Sequence, residues 1–163
     1  ERVDWQHNSL NYSIPVGTQD DQYIKTLQKA LLAVSSFNPD MLIIQCGVDT
    51  YWGDAMKTLN LTMEGYREIY ILVDHFAQET VNNQIIYTGG GGYGYRFAAP
   101  RAWTLLASIV LGIEIENSLS EAWLELIHDA IEGAVKKQNG MPPAMKHRVA
   151  EDLLSQIPKK LMD

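Results

Sequence analysis

The sequence contains a single cysteine, Cys46. One cysteine excludes an internal disulfide, and such chains belong in reducing compartments, so a cytoplasmic setting is expected. No apolar run approaches the roughly 20 residues that a membrane helix needs. The most apolar helical stretch, Ala102 to Gly112, is short and continues directly into acidic residues. No signal-peptide pattern is present, and no membrane partner is expected. Positive charge is also scarce: 13 Lys and Arg stand against 20 Asp and Glu, for a net charge of −7. The basic residues are scattered and form no footprint for nucleic acid. Low-complexity segments and internal repeats are absent. So is any Asp-x-His or His-x-x-x-His pairing among His7, His75, His128 and His147. No self-contained metal site can therefore be assembled from this chain.

What is there suffices for one ordinary core: 163 residues, 46% of them hydrophobic. That excludes a disordered chain. The chain begins at Glu1 rather than Met, in a stretch that already has strand or loop character, and it reads as a piece of something longer. A short extended segment is expected near Leu10–Ile14. Thr18 then stands where a hydroxyl cap is expected, with acids in the first turn and a helical period from Tyr23 to Val34. Asn38-Pro39 should end that helix. The run from Met41 to Cys46 reads as a strand buried on both faces, as in parallel sheets. After a polar loop, Thr62 is expected to cap a second helix carrying Tyr66, Ile69, Tyr70, Val73 and Phe76. A second buried strand, Gln84 to Tyr87, enters four consecutive glycines, Gly89 to Gly92, and a third helix follows from about Phe97 to Leu111. Strand–helix–strand–helix order predicts an α/β fold with a parallel sheet. Two amphipathic helices, Leu119–Val135 and Met145–Leu154, make up a separate C-terminal region. Two strands make a poor sheet because both edges stay unpaired. Strands from another polypeptide segment are expected to complete it.

Ligands of open α/β sheets bind beyond the carboxyl ends of the strands. Two segments fall there: Cys46 to Asp54 and Thr88 to Tyr95. Asp49, just past the first strand, offers a carboxylate to a metal or a cation, or serves only as a turn former. The glycine run implies unusual backbone angles or a close approach, against the alternative of a flexible loop. Gly89, Gly91 and Gly94 also fit G-x-G-x-x-G, the dinucleotide-loop pattern, although Glu114 and Glu116 follow a helix where a second strand is required. Cys46 is expected to be a small core residue, and His75 and His128 to be satisfied surface residues on helices.

The segments Phe37-Asn-Pro-Asp40, Gln45-Cys-Gly-Val-Asp49, Gly53-Asp54, Leu59-Asn-Leu-Thr62-Met-Glu-Gly65-Tyr66, Thr88-Gly-Gly-Gly-Gly-Tyr93 and Arg101-Ala-Trp103 follow in unbroken order. Together they resemble the zinc-dependent histone deacetylase family, closest to its bacterial acetoin-utilisation (AcuC-type) branch. The resemblance covers residues 10–112. It implies a three-layer α/β/α arginase/deacetylase-like fold, incomplete in this chain, with a catalytic core part at 1–112 and a C-terminal helical region at 113–163. It further implies that Asp49 is a zinc ligand, that Tyr93 is the catalytic tyrosine, and that Gly91 and Gly92 line the tunnel for an acyl-lysine side chain. The family's Asp-x-His and His-His pairs have no counterpart here, and Ala55-Met56 stands where many members carry Pro-Leu. The resemblance therefore implies the C-terminal half of a deacetylase acting on acetyl-lysine or a small acetamide, inactive alone. Its partner would be the missing N-terminal half, or a second copy through the sheet edge. Two other readings remain open at this level: a non-catalytic interaction module pairing through that edge, and a nucleotide-binding half-domain.

Overall fold

A computed structural model of the chain describes residues 2–4, 9–95, 97–137, 140 and 142–155. His7 lies outside them. The chain divides into two compact units, residues 1–114 and 115–163.

The first unit opens on strands β1 (Arg2–Asp4) and β2 (Ser9–Asn11), paired antiparallel with Val3 opposite Leu10. The extended segment expected near Leu10–Ile14 is thus shorter and earlier, and it belongs to a two-stranded pair. Helix α1 (Asp20–Phe37) follows. Its N-cap is Gln19, without a side-chain bond. The expected cap residue, Thr18, instead turns its hydroxyl back to donate to the Pro15 carbonyl at 2.8 Å. Asn38 ends α1 in the left-handed conformation, a common helix stop.

Strand β3 (Leu42–Gln45) and strand β4 (Ile85–Thr88) pair in parallel, with Leu42 opposite Ile85, Ile43 opposite Ile86 and Ile44 opposite Tyr87. Helix α2 (Met63–Val81) makes the crossover between them. Because side chains alternate along a strand, Leu42, Ile44 and Ile85 share one face. There they pack with Val34 of α1 and with Phe76, Ala77 and Val81 of α2. The other face carries Ile43, 68% exposed, and Ile86, 47% exposed. The expectation that both strands are buried on both faces is therefore corrected. One helical layer packs on the pair through Leu42, Ile44 and Ile85, and Ile43 and Ile86 on the opposite face stay exposed.

Thr62 caps α2 as expected, its hydroxyl accepting from the Gly65 amide at 3.1 Å. The cap is reinforced from a distance. Asp20, at the start of α1, accepts from the Thr62 amide at 2.9 Å and from its hydroxyl at 2.6 Å. This places the Asp20 carboxylate directly over Gly65, where a Cβ would fall within it. Gly65→Ala should therefore push Asp20 off the cap. The expected loss is about 1–3 kcal/mol, read as a lower urea midpoint with an unchanged slope.

Helix α3 (Ala98–Leu111) buries Ala98, Ala102, Leu105 and Leu106 and packs on α2. The indole of Trp103 donates to the Cys46 carbonyl at 2.9 Å, tying α3 to the end of β3. In the second unit, Ser120 caps α4 (Glu121–Lys136) by accepting from the Trp123 amide. Ile127, Ile131 and Val135 form its buried stripe, and α5 (Pro143–Ser155) packs on α4.

Candidate active site at the carboxyl ends of the parallel strands

Both segments singled out in the sequence leave the carboxyl ends of adjacent parallel strands, so they begin side by side. The Cys46 amide bonds to the Thr88 carbonyl at 2.9 Å, extending the ladder one residue. The Val48 amide then reaches the Gly91 carbonyl at 2.6 Å. That bond joins the β3 loop to the glycine run. The β3 loop is anchored from below: Val48 and Leu61 are fully buried, Tyr51 bridges Leu61, and the Trp52 amide donates to the Leu61 carbonyl at 2.9 Å.

The close approach accounts for three of the four glycines. A Cβ on Gly90 would stand 2.6 Å from the Gln45 amide group and 2.8 Å from Gly47 Cα. One on Gly91 would fall within the Asp49 carboxylate. Gly92 adopts φ +155°, and a Cβ there would meet Val48 at 2.7 Å. Glycine is thus required because the β3 loop lies against the run. Gly89 is different: a Cβ would meet only the Trp103 ring, at 3.6 Å. The flexible-loop alternative does not hold for Gly90, Gly91 and Gly92.

Asp49 is half-buried, with its carboxylate against the Gly91 backbone. Tyr93, two residues beyond Gly91, is 56% exposed. The backbone of Tyr93 is held by Asp54, whose Oδ2 accepts from the Tyr93 and Gly94 amides, both at 2.7 Å. This arrangement removes the dinucleotide reading of the glycines. Two amides that would face a phosphate are already bound, and they are bound by an anion, which repels phosphate.

Beneath the loop, the Thr50 hydroxyl and the Tyr66 phenol hydrogen-bond at 2.6 Å. Burial pushes the Tyr66 phenol well above its ordinary value, and the bond to Thr50 opposes that only in part. Tyr70, stacked at a tilt on Tyr66, is also raised by burial. Burial likewise raises the Cys46 thiol, in keeping with a core residue. Tyr66, Tyr70 and Cys46 are thus held in their neutral forms beside the β3 loop. Sequence reasoning placed Asp54, Thr50 and Gln45 in the segments of interest but gave none of them a role. Their partners lie 39, 16 and 45 residues away, and residue type alone signals none of them.

Among the described residues, no three His, Cys, Asp or Glu side chains cluster closely enough to hold a metal ion. Asp49 offers one carboxylate at the loop, and among the described residues nothing beside it completes the three protein ligands usual for catalytic zinc. His75, His128 and His147 lie on α2, α4 and α5, exposed and facing Glu79, Glu132 and Glu151 respectively. No described helix is long and apolar enough to cross a membrane.

The chain is 29% identical over 93% of its length to the acetoin utilization protein AcuC of Bacillus subtilis (strain 168). It is 31% identical over 70% of its length to human histone deacetylase 1. It spans 38% of the first of these relatives and 23% of the second. Among solved structures, a deacetylase homologue from Aquifex aeolicus superimposes with a TM-score of 0.69 at 24% identity, over 96% of this chain and 37% of that one. A deacetylase homologue complexed with SAHA gives 0.66 at 23% identity, over 90% and 42%. These likenesses show the fold to be the arginase/deacetylase α/β type, represented here in part. Residues 2–110 match the histone deacetylase domain, and the chain belongs to the histone deacetylase family.

Proposed function

We propose that this chain supplies one side of the active site of a zinc-dependent deacetylase that hydrolyses acetyl-lysine or a related small acetamide. The missing N-terminal half supplies the other side. The observation that carries the reading is the Val48–Gly91 bond, which brings Asp49 and the tyrosine loop together at the carboxyl ends of two parallel strands. In open α/β sheets that is where ligands bind.

In this reading Asp49 is one zinc ligand and the remaining ligands come from the missing half. When bound, zinc supplies a Lewis acid for the acetyl carbonyl. The Tyr93 phenol donates a hydrogen bond to the carbonyl oxygen and gains strength as negative charge builds there. Gly91 and Gly92 form part of the tunnel wall, and neither has room for a side chain. No described histidine lies on either loop, so the proton acceptor for the attacking water also comes from the missing half. The open face bearing Ile43 and Ile86 fits the same partner, because a doubly covered parallel sheet buries that face. The single free thiol of Cys46 agrees with a cytoplasmic setting. Self-association through the sheet edge, as a non-catalytic interaction module, is the second reading, supported by the β3–β4 sheet having two strands only among the described residues, so that both are edges.

Reconstitution separates the two. Residues 1–163 alone are expected to hydrolyse no acetyl-lysine peptide. Produced together with the preceding half, they should form a complex that native mass spectrometry finds with one zinc ion, and that complex should be active. Hydrolysis by the isolated chain would overturn the reading. So would a zinc-free complex without activity, which would favour the interaction module.

A further inference from the structure

The geometry points to Asp54 as the positioning residue of Tyr93, an inference that rests on the catalytic role proposed above for that tyrosine. Asp54 is 4% exposed. Its Oδ1 accepts from the Met56 amide at 2.8 Å, and its Oδ2 from the Tyr93 and Gly94 amides at 2.7 Å each. Hydrogen bonds of this length to a carboxylate are of the charge-assisted kind, about twice as strong as neutral ones. They cross 39 and 40 residues of sequence and fix the dipeptide 93–94 to the β3 loop.

The other side of the dipeptide is fixed as well. The Gly94 carbonyl accepts from the Phe97 amide at 3.0 Å and the Ala98 amide at 2.8 Å, at the start of α3. A Cβ on Gly94 would meet the Ala98 Cβ at 3.2 Å and Asp54 Oδ2 at 3.5 Å. The dipeptide is thus held between a buried carboxylate and a helix. Tyr93 needs such an anchor. Its side chain is 56% exposed, and the bond that holds the glycine run, from the Val48 amide to the Gly91 carbonyl, stops two residues short of it. The phenol's place is therefore set through its backbone, and Asp54 sets it. A catalytic donor displaced by about 1 Å loses most of its effect, so the anchor acts on the reaction without touching substrate.

The test is a double-mutant cycle on the intact deacetylase, with Asp54→Asn, Tyr93→Phe and the pair. Asp54→Asn keeps the shape and removes the charge. It is expected to lower kcat about tenfold with KM changed less than about twofold, reflecting the loss of charged-acceptor bonds. In the Tyr93→Phe background the same change should cost less than about twofold, because nothing is left to position. Equal losses in both backgrounds, or no loss with Tyr93 present, would overturn the inference. A fully active Tyr93→Phe enzyme would instead overturn the catalytic role of the tyrosine, and the inference with it. Hydrogen exchange of the unmutated protein supplies a measurement free of any folding defect. The Tyr93 and Gly94 amides should be protected although the tyrosine side chain is exposed, and rapid exchange at both would overturn the hold itself.

Discussion

Replacing Tyr93 with phenylalanine is expected to lower kcat of the assembled deacetylase about 10²–10³-fold while leaving KM within about threefold. The size follows from the role. A donor aimed at an oxygen that becomes an oxyanion contributes about 3–4 kcal/mol when water is excluded, and nearly all of it appears in the transition state. Phenylalanine keeps the ring and removes only the hydroxyl. The ring is more than half exposed, so the fold should be unaffected, and an unchanged urea midpoint checks that. Zinc content measured on the same sample separates loss of the donor from loss of the metal side. A variant that retains zinc and stability but loses turnover places the effect on the phenol. Retained turnover would leave the interaction-module reading as the better account of this chain.

Much of the scaffold around Tyr93 was legible in the sequence because its signals are local. The runs Met41 to Cys46 and Gln84 to Tyr87 are short, apolar and bounded by turn residues, and strands β3 and β4 fall within one residue of them. Thr62 stands directly before its helix, and its hydroxyl makes the cap bond three residues on. Thr18 carries the same local signal two residues before α1, yet its hydroxyl bonds backward to Pro15. The competing Asp20 carboxylate serves the cap of α2, 42 residues away. Local chemistry proposes a cap, and tertiary contacts decide which helix receives it. Two-sided burial of Ile43 and Ile86 failed as an expectation for a related reason. An apolar strand residue records that a covering layer exists, not that the same segment of chain provides it. The site shows the same division. Glycine density announced a close approach, but the approaching groups, Gln45 and Asp49, are named only by the fold. Asp49 itself carried a turn-former alternative from residue type. The family resemblance, rather than periodicity or spacing, attached chemistry to it and to Tyr93.

The contrast among the glycines carries the last expected result. Gly91→Ala should abolish most deacetylase activity, by more than about a hundredfold, and should lower stability by about 1–3 kcal/mol. Its methyl would occupy the space of the Asp49 carboxylate. One of two groups must then yield, and each is costly. Moving the run breaks the 2.6 Å bond from the Val48 amide to the Gly91 carbonyl and strains the Tyr93 and Gly94 amides against Asp54. Moving Asp49 withdraws a zinc ligand in the proposed site, and disturbance around a ligand costs about 10–100-fold in metal affinity. Gly89→Ala is the control within the same run. Its methyl would meet the Trp103 ring at 3.6–3.7 Å, an ordinary contact. It should keep zinc, keep activity within about threefold, and change stability by less than about 1 kcal/mol. The two variants are equal in chemistry and two residues apart. If both lost activity alike, the requirement would belong to the flexibility of the run as a whole. If only Gly91→Ala does, it belongs to the contact between Gly91 and Asp49, and a zinc titration of the purified variant should show the weakened metal site directly.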